Sequence, residues 1–563
     1  MLRRFASRHP SLIASRAGLQ TRHAQAAVSG TQAHTPPNLL HSIDLPQTPQ
    51  QQQGGRPSTL TFRVAGAGEI SVRPLSEAPG PSTVEELLEH GAKDGDPEQV
   101  VQYYHRMYGD IAVKHERVFG QVRVYIFNPR DIEKVSRAEG VWPSGSVISL
   151  PHWARYAQEN GKPMLPVATG AQWQRMRESI QEKLLNPADA QAYLPLLERP
   201  VKEASEHLPE ASDRMDEWVP RVTFEMIGQV LFDKRIGAIA RENSPEDEEF
   251  LYSGIHLMAE ADRMIFDPRE REAVRNKVDT PMYLNMVRQM NQLFDRANVH
   301  IDETVHRLRE ANRDGGRSST KCWMAHKLPL LAESDQDTRE ELVLNTGTIF
   351  IAGVDTTSSV IKWLMYYLAT HPDVQTTLRH EMQTLLQGRH LTPEDISKCT
   401  YLRACIRETF RKTPVTVGNG VVRLLDHDIE LQGYNVPANT IIQMLPSPYL
   451  KNETIFDDPH SFKPERWLRS SGVPSKGCPM AAARDKTMRD PYLLMHFGRG
   501  KRMCPGSRIA ETEVSALFAR LIQDWKVSLA PGSATPGRQS RSGINHPWPN
   551  PTYTFEPIRQ AQA

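Results

Sequence analysis

Phe497-Gly498-Arg499-Gly500-Lys501-Arg502-Met503-Cys504-Pro505-Gly506 is the stretch on which the reading of this chain turns. A single cysteine sits in a glycine-rich, basic turn. The sequence that follows has helical period from Ser507 to about Trp525, so a helix begins just behind the sulfur and points its positive end at it. Buried thiolates need positive potential and hydrogen-bond donors. Pro505 has no N–H, which leaves the amides of Gly506 and Ser507 as the expected donors. A cysteine taken alone is more often an inert structural thiol; here the surrounding residue types together describe a site built for a thiolate.

The bulk of the chain bounds what that site can belong to. Its 563 residues suffice for one large fold with a deep core. A composition of 39% hydrophobic, 24% charged and 7% aromatic residues excludes fibres, disulfide scaffolds and wholly disordered chains. Lys+Arg number 68 against 67 Asp+Glu, so the basic excess typical of nucleic-acid binders is absent and no nucleic-acid partner is expected. The cysteine count is odd (Cys322, Cys399, Cys405, Cys478 and Cys504) and no spacing reads as a zinc site, which points to free thiols in a reducing compartment. The longest apolar-rich segment, residues 342–368, is broken by Asn345, Gly347, Gly353, Asp355 and Lys362. It reads as a buried helix rather than a membrane span.

Along the chain, Arg3, Arg4, Arg8, Arg16 and Arg22 lie among Ser, Ala and Leu, and no acid precedes Asp44. That is the pattern of a mitochondrial transit peptide, assigned to residues 1–35. Residues 36–70, with a glutamine run and several prolines, read as a low-complexity linker. Residues 71–563 form the folded body, starting near 71–81. Two alternating runs, 111–118 and 122–127, predict a hairpin. Helical period dominates 171–308, and one helix is expected from Asp337 to about Ala369, with Asp337 and Glu340 at capping-box spacing. Further helices are expected from Pro372, over 401–412 and after Cys504. Short strands surround 429–431 and 440–444, with Gly433 turning between them.

The cysteine loop resembles the heme-binding loop of the cytochrome P-450 family, F-x-x-G-x-R-x-C-x-G, matched by Phe497, Gly500, Arg502, Cys504 and Gly506. The resemblance extends over residues 79–555. It implies a mainly α fold with a small β region and one heme b, its iron held by Cys504 thiolate, a ligand that favours O–O cleavage. Phe497 then screens the sulfur, Gly500 and Gly506 admit the ring, and Arg502 pairs with a propionate. Trp173 and Arg177 (W-x-x-x-R) and Arg423 match further propionate positions. Ala352-Gly353-Val354-Asp355-Thr356-Thr357 resembles the oxygen-activation motif: Gly353 opens the helix, Thr356 hydrogen-bonds bound oxygen and Asp355 relays protons. Glu408 and Arg411 (E-x-x-R), with Arg466 from Pro464-Glu465-Arg466, imply a buried structural triad. The family's N-terminal proline–glycine segment is only partly present, at Pro79-Gly80-Pro81.

Within the family, the transit peptide and the pair Arg403 and Arg407 point to the mitochondrial branch, with Arg508 as a third contact for a [2Fe–2S] ferredoxin served by an NADPH-dependent reductase. The implied reaction inserts one atom of dioxygen into a small apolar substrate, such as a sterol or other lipid. Val415 to Val422, Phe350 and Val354 are expected to face that substrate. The implied location is the matrix side of the inner membrane, with peripheral membrane contact. Three rival readings remain at this point: a heme sensor or carrier without turnover, a heme-thiolate isomerase or dehydratase, and a microsomal-type enzyme using a flavoprotein reductase. The intact Asp355-Thr356 pair disfavours the first two.

Overall fold

The computed structural model describes residues 60–64, 68–81, 97–116, 121–144, 150–313, 322–333, 336–468, 486–541 and 543–558. The segment assigned as a transit peptide, most of the linker, and Cys478 lie outside the described residues. Strand structure starts earlier than the sequence suggests. Leu60–Val64 pairs antiparallel with Gly68–Pro74, inside the stretch 36–70 read as linker. The support for this ribbon is distant: Arg73 and Pro74 pair in parallel with Tyr434 and Asn435, a contact no local composition reveals.

Five helices carry the argument: α1 (Gly170–Leu184), α2 (Met215–Phe232), α3 (Gln336–Thr370), α4 (Thr400–Lys412) and α5 (Ser507–Asp524). The 35 residues of α3 cross the molecule. Most of its residues from Leu342 to Ala369 are buried, as expected of a helix in a large core, and the face through Ile349, Ala352, Gly353 and Thr356 is the less buried one. Close packing rather than amphipathicity places it. A Cβ on Gly347 would lie 2.6 Å from Phe294 Cδ1. Thr223 of α2 donates its hydroxyl to the Val354 carbonyl of α3 (3.2 Å) and lies 3.0 Å from Ser358 Oγ. Asp337 falls within the first turn of α3, so the expected capping box does not form there.

The β region is small, as expected from the sequence. One four-stranded sheet runs Ile111–Glu116, Gln121–Ile126, Ile441–Met444, Val421–Arg423; a second joins the N-terminal ribbon to Tyr434–Val436 and Ile429–Leu431. Gly433 therefore turns a hairpin between Ile429–Leu431 and Tyr434–Val436, not between the two strands the sequence offered. Tyr434–Val436 is only three residues long, too short to show alternation by itself. Two further antiparallel pairs lie near the C-terminus: the hairpin of Gly537–Arg541 with Ile544–Trp548, and Trp525–Leu529 with Tyr553–Pro557, which enclose that hairpin in the sequence. Among the described residues, no helix is long and apolar enough to cross a membrane.

Gly347→Val pushes a branched side chain into Phe294 and Leu293. Its expected cost is about 1–3 kcal/mol, read as a lower thermal midpoint with an unchanged far-ultraviolet circular dichroism spectrum.

Candidate active site

Between α3 and the cysteine loop lies a cavity of about 1280 Å³. Cys504, Phe497, Arg502 and Gly506 line one wall; Ala352, Gly353, Thr356 and Val360 of α3 line it too. The loop is a set of tight turns closed by main-chain bonds: Gly498 N to Met495 O (2.8 Å), Met503 N to Gly500 O (3.1 Å) and Cys504 N to Phe497 O (2.9 Å). Gly500 has φ +77°, and a Cβ on it would lie 2.5 Å from Glu139 Oε2, so a side chain here is strained and displaces the Glu139 carboxylate. Cys504 is half-buried and lines the cavity. Burial pushes its thiol up, while the Gly506 amide and the Arg177 charge pull the other way. The second expected donor is not available: Ser507 N bonds the Cys504 carbonyl (3.4 Å), because α5 is already turning there.

Three arginines cluster on the cavity wall, Arg177 among them beside the sulfur. Arg177 of α1 is buried and, among the described residues, has no hydrogen-bonding or ion-pair partner; Cys504 is the group whose charge favours its own. Arg502 stacks over Trp173 (4.7 Å to the ring centroid) and donates to the carbonyls of Pro143 and Ala168. Burial, with Arg423 and Arg177 nearby, lowers it to about 10. Arg423 differs from expectation in its partners. Its Nε contacts Glu139, and its remaining nitrogens bond the carbonyls of Val422 (2.8 Å) and Arg499 (3.1 Å). It therefore ties the cysteine loop to the sheet, and it lines the cavity together with Arg177 and Arg502, the side an anionic ligand edge would meet. A cavity of this volume, with one thiol, apolar walls and a buried arginine lacking a counterion, fits a dianionic flat cofactor such as heme.

The helix α3 presents Ile349, Ala352, Gly353, Thr356 and Val360 to the cavity, at three- and four-residue spacing. Phe350 and Val354, expected to face a substrate, point into the core instead: Phe350 packs on Phe224, Phe232 and Phe250. One residue along a helix is a rotation of about 100°, enough to move them off the lining face. Val415, Thr416, Val417, Gly420, Val421 and Val422 do line it. Thr356 Oγ1 donates to its own Ala352 carbonyl at 2.7 Å, and α3 runs unbroken through Gly353, whose missing Cβ leaves room for Ile227. Asp355 is buried and does not line the cavity; its Oδ1 lies 3.2 Å from His546 Nε2.

Glu408, Arg411 and Arg466 come together. Arg411 pairs with Glu408 at 2.7 Å, and Arg466 Nε reaches it at 3.0 Å. Trp467 Nε1 and Lys463 N complete the carboxylate's donors, while Arg411 also caps the carbonyls of Leu450, Pro459 and Ser461. Every charge is paired, which such a buried cluster requires. On the outer face of α4, Arg403 bonds the carbonyls of Cys399 and Ser397, and Arg407 stacks over Trp467 at 4.5 Å. Arg508 pairs with Glu511 at 2.9 Å. Arg403, Arg407 and Arg508 are all exposed.

Sequence reasoning missed Glu139, His496, Glu513 and His546. Glu139 and Arg423 meet across the fold and carry no shared motif. Glu513 of α5 is fully buried with both oxygens unpartnered among the described residues, and burial pushes its carboxyl well above the usual range. His496 stacks on Phe410 (4.0 Å) beside Phe497 (4.6 Å). Burial, reinforced by Arg407, Arg499 and Arg508, lowers it from 6.5 to about 3. A histidine neutral when folded gains its proton only on unfolding, so the native state loses stability as pH falls from 6.5 toward about 3. His496→Phe is expected to flatten that part of a plot of thermal midpoint against pH; an unaltered slope would remove His496 from the acid sensitivity.

These features define a heme-thiolate type of site in a mainly helical body. Comparison with known proteins agrees: the chain belongs to the cytochrome P450 family, whose profile matches residues 79–555. It is 28% identical over 474 residues to "Probable cytochrome P450 12c1, mitochondrial" of Drosophila melanogaster, covering 81% of this chain and 87% of that protein. Identity to "Probable cytochrome P450 12a5, mitochondrial" of the same fly is 30%, covering 72% and 76%. The mouse "25-hydroxyvitamin D-1 alpha hydroxylase, mitochondrial" is 28% identical, with 88% and 93% covered. The chain is thus an oxidoreductase of the monooxygenase class, and the cofactor of its family is heme held by a cysteine thiolate.

Proposed function

We propose that the chain is a mitochondrial monooxygenase that draws electrons from a [2Fe–2S] ferredoxin and oxidises an apolar substrate of the sterol or lipid kind. The observation that carries this reading is Cys504 on the wall of the large cavity, with the Gly506 amide and buried Arg177 beside it and Thr356 also on the lining. Cys504 is the ligand, and Arg177, Arg502 and Trp173 hold the cofactor's anionic edge. When bound, thiolate-ligated heme supplies the reductive activation of dioxygen. The protein's part is to orient and exclude water. Valines 415, 417, 421 and 422 with Ile349 and Val360 form an apolar wall. Thr356 offers a hydroxyl at the oxygen side, and Asp355 holds the proton reserve behind it. Glu408, Arg411 and Arg466 brace the segment that carries the cysteine loop.

Residues 1–35 act as the import signal, 36–70 largely as tether, and 71–563 as the catalytic body on the matrix side of the inner membrane, touching it peripherally. Relatives whose names say mitochondrial support this branch. Arg403, Arg407 and Arg508, with Arg499 near His496, give the cysteine side of the body a positive surface. Such a field speeds encounter with an acidic ferredoxin, itself reduced by an NADPH-dependent reductase.

The reduced protein should give a thiolate-type carbon monoxide difference spectrum, lost in Cys504→Ala. A nitrogen-type spectrum in the freshly purified wild type would refute the ligand assignment. Arg403→Glu with Arg407→Glu should weaken ferredoxin binding about tenfold or more at low salt, with a smaller effect at high salt; equal affinity by calorimetry would move the docking face elsewhere.

A further inference from the structure

On the flank of α3 away from the cavity, Asp355, Ser359 and Trp363 form a stripe at a spacing of four, and all three meet the strand Ile544–Trp548. Ser359 Oγ donates to the Asn545 carbonyl at 2.6 Å, and Trp363 Nε1 donates to the same oxygen at 3.1 Å. From the other side, Asn545 Nδ2 donates to the Pro414 carbonyl at 2.6 Å and Asn545 N to the Val415 carbonyl at 2.8 Å. The strand is thus clamped between α3 and the segment that forms the substrate wall. The clamp sets His546 against Asp355, Nε2 to Oδ1 at 3.2 Å, with the two residues 1% and 4% exposed. A carboxyl buried this deeply calls for polar neighbours. The imidazole is one polar neighbour within ion-pair distance of it, one residue away from Thr356 on the cavity lining.

We infer that His546 is a positioning residue for Asp355: it holds the carboxyl in place behind Thr356 and so sets how well that carboxyl serves the oxygen site with protons. The inference rests on the proposed oxygen-site roles of Asp355 and Thr356. His546 acts through Asp355 and touches neither cofactor nor substrate. The bond made by Asn545 to the Pro414 carbonyl also links the arrangement to the substrate wall, so that wall and the acid rest on one strand.

Two measurements test it. The first is hydrogen peroxide released per NADPH oxidised by the substrate-free holoenzyme, driven by a [2Fe–2S] ferredoxin and its reductase. His546→Leu, which has no donor, and His546→Asn, which is too short to reach, should each raise this ratio about twofold or more over the wild type, subject to a ceiling of one. His546→Gln, whose amide nitrogen can reach the place of Nε2 beside the carboxyl, should stay near the wild type. Asp355→Asn should match His546→Asn, and the double variant should be no worse than either. A wild-type ratio in His546→Asn, or equal ratios in the Asn and Gln variants, overturns the proposal even if the Leu variant fails to fold. The second is a thermal double-mutant cycle on Asp355→Asn and His546→Asn, in which the losses of midpoint should be non-additive. Additive losses mean the two groups do not interact, and the proposal falls. The cycle does not depend on the carbon monoxide spectrum, so this inference and the heme-thiolate reading can fail separately.

Discussion

A sulfur shut away from water resists ionisation, and most of what surrounds Cys504 is arranged against that resistance. Burial pushes its thiol up; the Gly506 amide and Arg177 push it down. The cysteine loop has to stay in one shape for those two groups to act. Gly500 turns with positive φ over Glu139, Glu139 holds Arg423, and Arg423 reaches back to the Arg499 carbonyl in the loop itself. The triad on Glu408 fixes α4 against the segment around Trp467. Buried charge in this region is therefore paired or aimed at the cavity, which Arg177, Arg423 and Arg502 all line.

The other side of the cavity is governed by the rotation of one helix. Its lining face runs through Ile349, Ala352, Gly353, Thr356 and Val360, and its packing face through Phe350 and Val354. Asp355 lies on a third flank, turned toward the strand that carries His546. A single helix therefore presents a cavity lining that includes a hydroxyl, an apolar packing face and a buried acid in three directions. Thr223 and Gly347, which bring α2 and Phe294 hard against it, set its rotation.

Motif-bearing parts of the site could be read directly. The cysteine loop, the Glu408–Arg411 pair and the α3 segment are local patterns, since their residues lie within one turn or one helix and their spacing survives in the chain. Partners that meet only across the fold could not: Glu139 with Arg423, and His546 with Asp355, are each separated by well over a hundred residues. The assignment of Phe350 and Val354 to the substrate side erred because apolarity does not say which of two apolar surroundings a helix face meets. The strand Leu60–Val64 escaped notice because its docking site lies far along the chain.

The amino-acid order alone determined the class of fold, the thiol at position 504, the long central helix and the basic face of α4. These follow from residue type at short spacing, where covalent geometry dictates the neighbours. Only the tertiary structure decided that Arg423 serves the loop, that Thr356 bonds its own helix, and that Asp355 faces an imidazole. Each depends on which distant elements pack together, and that is settled by the balance of burial and polar satisfaction over the whole core.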